Sequence, residues 1–294
     1  MATTALPLTS GIRPRRSRIE TTRTMLAQNR NALLGGILFF AILLVAVFAP
    51  LLMTNNPNTQ APSDRLIAPG SDHWFGTDGS GRDIYSRVIK GSQLSLLVGV
   101  SVSILTAVVG GLIGLIAGYV NRLDSPLMRA MDALMAFPGV ILAIGIMSVR
   151  GAEVSNVVIA LTVVNVPRLA RVVRSVVQST AGSQFVEASQ SAGCSTPRIL
   201  FRHVLPNCLS PIIVQTSFIF AEAVLGEATL SFLGAGAPPD IPSWGGMLSE
   251  SRNFLSQAAW TMVIPGAALT FTVFALNLLG DGIRDILDPR LRGR

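Results

Sequence analysis

The sequence predicts an all-α, polytopic membrane protein with six transmembrane helices and a helical cytoplasmic loop between the fourth and fifth of them. Of the 294 residues, 50% are hydrophobic and only 13% charged, and the mean hydropathy is +0.54. Both values lie on the membrane side of the range for folded chains. The charges are also segregated, so that long uncharged stretches alternate with short polar ones, as lipid requires of the segments it solvates.

Six stretches qualify: 33–53, 96–120, 133–149, 154–177, 209–226 and 260–280. Five have the length of about 17 to 25 residues that a helix rising ~1.5 Å per residue needs to cross a ~30 Å hydrocarbon core. The fourth is uncharged only as far as Pro167 before Arg168, Arg171 and Arg174 enter, so charge bias has to decide it. With six spans and a cytoplasmic N-terminus, 17 of the 23 basic residues fall inside; if the fourth stretch does not cross, 14 fall outside. Only the first count obeys the positive-inside rule. The fourth stretch is therefore expected to span, with its three arginines snorkelling to the cytoplasmic surface.

On this topology residues 1–32 are a cytoplasmic N-terminal arm and 33–294 the transmembrane domain, with both termini inside. The arm is rich in Thr, Arg and Pro without apolar periodicity, and its first 24 residues are expected to be disordered. The first apolar run is longer than a signal-peptide core of about 7 to 15 residues, and Pro50 directly follows the cleavage-like pair Val47 and Ala49, so the run is expected to remain as an uncleaved first span. Cys194 and Cys208 fall on or near the cytoplasmic side, where a disulfide is not expected. A loop of about 40 residues, opening with the turn cluster Asn55, Asn56, Pro57 and Asn58, lies outside. Gly110, Gly114 and Gly118 line one face of the second span for close helix packing. Pro138 and Pro265 are expected to kink the third and sixth spans.

The net charge of +7 does not point to nucleic acid, because the basic residues flank spans on one side and no aromatic platform accompanies them. No Gly-Lys-Ser/Thr cradle is present; the sole lysine, Lys90, follows Ile89, so the chain is not expected to bind ATP through a P-loop. Cys194, His203 and Cys208 lack metal-site spacing. There is no Gly-x-Ser-x-Gly elbow, and both histidines lie outside the spans. An ion-coupled transporter would place several ionisable groups at mid-membrane, where only Glu222 comes close.

The richest polar stretch is 185–206, between the fourth and fifth spans. Phe185 to Ala192 has helical composition and Gly193 breaks it. Thr196 and Pro197 suit the cap and first turn of a second short helix, expected to run from Arg198 to Val204 and to end at Pro206. In this stretch Glu187, Ala188, Gly193, Leu205 and Pro206 match the spacing of the EAA loop, and the sequence resembles the membrane permease subunits of ATP-binding-cassette importers; Ser189 replaces the usual second alanine. The resemblance implies that the loop, Arg198 included, is the coupling element that docks on an ATPase subunit. ATP and Mg would be bound by that partner and not by this chain, which would have no enzymatic activity of its own.

Outside the membrane, Phe75, Gly76, Thr77, Asp78, Gly81, Arg82, Asp83, Ser86 and Arg87 resemble the FGTD-x-x-GRD-x-x-SR signature of the dipeptide, oligopeptide and nickel branch. The stretches 230–234 and 280–290 resemble the same branch, in its second, C-type permease. The resemblance implies a bacterial inner-membrane subunit that works with a second homologous permease, ABC ATPase subunits and a periplasmic solute-binding protein. Peptides or similar small solutes are the implied cargo, with nickel chelates, opines or glutathione as alternatives. Read from their charges, Asp78, Arg82, Asp83 and Arg87 are expected to pair within the loop and fix its shape, contact with the binding protein being the other reading. Glu222 is a candidate for the solute path. Glu227 is expected to meet interfacial water, and Asn277 and Asp281 to cap or brace the inner end of the last span.

Overall fold

A computed structural model of the chain describes residues 30–287. The expected disordered segment and most of the N-terminal arm lie outside the described residues, as does the end of the 280–290 stretch. Among those described, five helices are long and apolar enough to cross a membrane, and a sixth crossing is made if one bent pair counts as a single span. Helices are the form that lipid favours, because every backbone N–H and C=O finds its partner inside the segment.

The first span is α1, Arg30–Val47, followed after one residue by the short α2, Ala49–Leu52, with Pro50 in its first turn. The second is α3, Ile84–Tyr119, 36 residues long. It starts 12 residues before the expected boundary at 96, because Asp83 caps it by accepting the Ser86 N–H at 2.9 Å and the polar first turns extend the helix beyond its apolar part. The fourth is α6, Val154–Ala181, and the sixth α11, Trp260–Leu287. The last runs seven residues beyond the expected end at 280. Asn277 and Asp281 therefore sit within it, on its exposed face, and not at its end.

The third span differs from the expectation of one kinked helix over 133–149. In its place stand α4, Asn121–Met135, and α5, Gly139–Arg150, which meet at 90°, the geometry of a broken span or of a re-entrant loop. Pro138 has no N–H to continue the first helix and disfavours helical geometry at Phe137. It stands instead in an extended conformation as the residue preceding α5. By itself α5 covers only about 18 Å, short of a ~30 Å core.

Between the fourth and fifth spans lie α7, Gln184–Ser191, and the single-turn α8, Thr196–Ile199. A π-turn over Leu200–Val204 joins α8 to α9, Leu205–Phe232. Outside the spans α10, Trp244–Glu250, continues into a 3₁₀ turn.

The core is the packing of α3, α6 and α9, through Val98, Val102, Leu169, Val173, Val177, Ile219 and Ala223. Its closest seam runs along the predicted glycine face. A Cβ on Gly114 would sit 2.5 Å from the Ala170 carbonyl oxygen and 2.7 Å from the Val173 Cβ, and Gly118 faces Val177 at 2.6 Å. A second seam joins α1 to α11, where a Cβ on Gly35 would fall 2.4 Å from the Leu279 nitrogen. Large apolar side chains such as Phe40, Ile104, Leu112 and Phe271 remain exposed on the outer faces, which suits helices solvated by lipid.

Gly114→Leu should therefore force α3 and α6 apart. Overpacking of this kind costs about 1 to 3 kcal/mol, and thermal unfolding in detergent should show a lowered midpoint. Gly145→Leu, at a position with nothing within 4 Å of its Cβ, should leave the midpoint of the isolated chain in place.

Candidate functional site

The loop over 185–206 is anchored by a few apolar side chains and otherwise open to solvent. Val186, Ile199 and Val204 are buried, whereas Glu187, Ala188, Gly193, Arg198 and Pro206 are exposed and Leu205 is half-buried. Phe185 and Phe201 present large apolar surface on the same loop. α7 closes with a left-handed residue, Gly193 at φ +77°. The Cys194 N–H reaches the Ser189 carbonyl at 3.1 Å and the Gly193 N–H reaches that of Gln190 at 2.9 Å. This pair of bonds is a Schellman stop, and the glycine supplies the positive φ it needs. Glycine thus ends α7 as the sequence predicts.

The second helix of the loop does not end at Pro206 as predicted. Chain 196–232 is one continuous helical run. The π-turn admits the proline: the Leu205 N–H bonds to the carbonyl of Leu200, five residues back, and Pro206 then falls in the first turn of α9, where a missing N–H is tolerated. The consequence is mechanical, because the loop's second helix and the fifth span form one rod.

At the other end of the molecule the signature residues fold into a compact cap. Gly76 and Gly81 both take φ +74°, and a Cβ on Gly81 would collide with the Ala61 carbonyl oxygen at 1.8 Å. Thr77 accepts the Ile67 N–H at 2.8 Å and donates to the Asp64 carbonyl. Phe75 and Trp74 pack edge-on against Tyr85. Asp78 receives the backbone N–H groups of Ser80 and Arg82 and pairs with the Arg82 guanidinium at 2.7 Å. Asp83 accepts from the Ser86 N–H and meets His73 Nδ1 at 2.9 Å.

Arg87, 2% exposed, lies between Asp78 at 3.6 Å and Glu250 at 3.2 Å, and Arg82 also reaches Glu250. Sequence reading missed Glu250. It is 163 residues from Arg87 in the chain, and nothing in its local sequence distinguishes it.

The three arginines of α6 are paired across helices. Arg174 binds Asp124 of α4, one of its bonds being 2.6 Å, Arg171 binds Asp132 of α4 at 2.6 Å, and Arg168 binds Glu222 of α9. The three arginines thus find carboxylates on neighbouring helices. Glu227 also departs from expectation. It is fully buried and accepts a hydrogen bond from Ser231 at 2.8 Å, with Ser95 at 3.5 Å, because α3 and α10 close over this part of α9. Cys194 and Cys208 are free thiols.

Residues 110–293 match the family of binding-protein-dependent transport system inner membrane components. The chain belongs to this family of transport permeases. Residues 17–69 match the N-terminal transmembrane domain of oligopeptide transport permease C. Among relatives, a permease of Brucella abortus named for peptide transport is 45% identical over 94% of both chains. The dipeptide transport system permease of Alkalihalophilus pseudofirmus is 43% identical over 91% of this chain and 88% of its own. The glutathione transport system permease of Pectobacterium atrosepticum is 38% identical over 89% and 87%. Among solved structures, an inward-facing form of the MetNI methionine ABC transporter superposes with a TM-score of 0.56 at 19% identity, covering 68% of this chain and 96% of that one. This last likeness is one of fold. The permease is a multi-pass membrane protein of the peptide-permease type, and the cap and the loop occupy opposite ends of its spans.

The cap makes a direct prediction. Arg87→Met keeps most of the side-chain volume but removes the buried cation between Asp78 and Glu250 and leaves them to Arg82; Arg82 and solvent at Glu250 offset part of the loss, so the cost should fall below the ~3 to 5 kcal/mol of a fully broken buried pair. The variant permease should lose protease resistance in 54–83 and unfold at lower temperature, while Arg65→Met should do neither.

Proposed function

We propose that this permease is the C-type membrane subunit of an importer for peptides, and that it is driven by ATP hydrolysis in partner subunits docked on the 185–206 loop. The observation that carries the reading is the continuity of the loop with the fifth span. A partner that grips Glu187, Ala188 and Arg198 and moves them would move α9 as well, because no flexible joint separates the loop's second helix from the membrane.

Family membership and the relatives named for peptide and dipeptide transport support this reading. The partners would be a second homologous permease, ABC ATPase subunits that bind ATP and Mg, and a periplasmic binding protein that delivers the solute to the cap side. The relative named for glutathione transport carries a solute that is itself a small peptide, so the same reading covers it. Both termini would lie in the cytoplasm, where the basic residues concentrate.

Two experiments test this. In intact cells, with Cys194 and Cys208 replaced by serine, cysteines at Asp83 and Asp240 should react with an impermeant thiol reagent and one at Ser195 should not. Labelling of Ser195→Cys from outside would invert the loop and remove its ATPase role.

In the assembled importer, Gly193→Val should reduce uptake strongly and Gly193→Ala less. The space around Gly193 is open, so the effect is conformational: a left-handed residue with a Cβ costs about 1 to 2 kcal/mol, and branching at Cβ adds to it. Glu187→Ala should weaken recovery of the ATPase subunit in pull-downs at equal expression. Normal uptake and normal ATPase recovery in both Gly193→Val and Glu187→Ala would reduce the loop to a connector.

A further inference from the structure

A charged stripe runs along α6 where lipid cannot be its solvent. Arg168, Arg171, Ser175 and Gln178 are all exposed and follow one another at three- or four-residue steps, so they share one helix face. Arg168 lies midway along the 28 residues of α6, about 21 Å from its Val154 end at ~1.5 Å per residue. Its partner Glu222 is about 15 Å from the Phe232 end of α9 on the same measure. Whichever way the chain is oriented, the pair is therefore deep within the span. Even so, the Arg168 and Glu222 side chains are 52% and 44% exposed.

Half-exposed charges at this depth have two environments open to them, a partner protein surface or water. A partner packing on the stripe would have to desolvate charges that are already compensated within this chain, by Glu222 and by Asp132, and would gain little from it. Water leaves them hydrated, and a water-filled route through a transport permease is its translocation path. Glu227, one turn and a half further along α9, shows the contrast: it is wholly buried and its carboxylate is held by serine hydroxyls, so it has nothing left to offer a solute.

We propose that Arg168 and Glu222 form a solute contact in the translocation path that exchanges partners with an unblocked short peptide, Arg168 taking the peptide's carboxylate and Glu222 its ammonium group. The chemistry matches at both ends. A guanidinium receives a carboxylate through two parallel N–H donors, and a carboxylate receives an ammonium; the solute bridges the pair as the pair opens, so neither charge is left bare in the span. The proposal rests on the peptide-importer reading above.

The test uses the complete importer in proteoliposomes. First, in a chain with Cys194→Ser and Cys208→Ser, a cysteine at Ser175 is exposed to a small charged methanethiosulfonate reagent. It should be modified in at least one of the nucleotide-free and ATP-trapped states; no modification in either would overturn the placement of the stripe in water, whatever the solute. Second, uptake of a free dipeptide is compared with that of its N-acetylated and C-amidated analogues, at concentrations that saturate the binding protein. Glu222→Gln should reduce the preference for the free amine, and Arg168→Gln the preference for the free carboxylate, each by roughly tenfold, the effect of one charge-assisted hydrogen bond. Equal losses for free and blocked peptides, or unchanged uptake, would show that the pair only braces α6 against α9 and would overturn the contact. A parental complex that imports none of these peptides would refute the peptide reading instead, and modification of position 175 would still place the stripe in water.

Discussion

The seam between α3 and α6 is the constraint on which the rest of the permease depends. With hydrogens alone at Gly110, Gly114 and Gly118, the backbone of α3 approaches α6 until its carbonyls and Cβ atoms are in contact. In lipid there is little hydrophobic gain from bringing two helices together, so close packing of this kind is what holds them. The rotation of α6 follows from it. Leu169, Val173 and Val177 are turned into the seam, and Arg168, Arg171 and Ser175 are thereby turned out. The same packing gives α9 its seat against both helices and sets Glu222 beside Arg168.

Charge is handled in two ways, according to depth and burial. In the outer cap, Arg87 is enclosed and its charge is met by two carboxylates far apart in the chain, which ties the loop before α3 to the end of α10. Removing the enclosed member of such a group costs more than its net contribution to stability suggests, because Asp78 is too buried to rehydrate fully. Within the spans the arginines of α6 are paired one to one with acids on α4 and α9, yet they stay open on one side. The cap is thus built to hold its shape, while the stripe keeps its charges available.

The loop at the other end works by stiffness. Val186 and Ile199 fasten it to the helices, the Schellman stop at Gly193 fixes the angle between α7 and α8, and the π-turn carries α8 into α9 without a break. A π-turn inside a long helix is commonly found at functional positions. Here it lets a proline stand at the junction between loop and span while the helix keeps its continuity.

Much of this was legible from residue order alone. Five spans, the glycine face of α3, the glycine stop in the loop and the signature residues of the outer segment are written locally, in hydropathy over a window, in residue spacing and in the demand of a tight turn for φ > 0. Pro138 and Pro206 could be recognised as disturbances but not resolved. A proline removes one N–H, and whether the chain then breaks, as before α5, or slips into a π-turn, as before α9, depends on what the neighbouring helices can hold in place. The partners of the charges were equally out of reach. Glu250 is drawn to Arg87, Asp124 to Arg174 and Glu222 to Arg168 over 50 residues or more of chain. By itself the sequence determined which segments enter the membrane and which glycines and prolines punctuate them, because those properties are local. The tertiary structure alone decided which charges meet and which faces stay open, because in a low-dielectric interior those depend on distances between helices that no local pattern encodes.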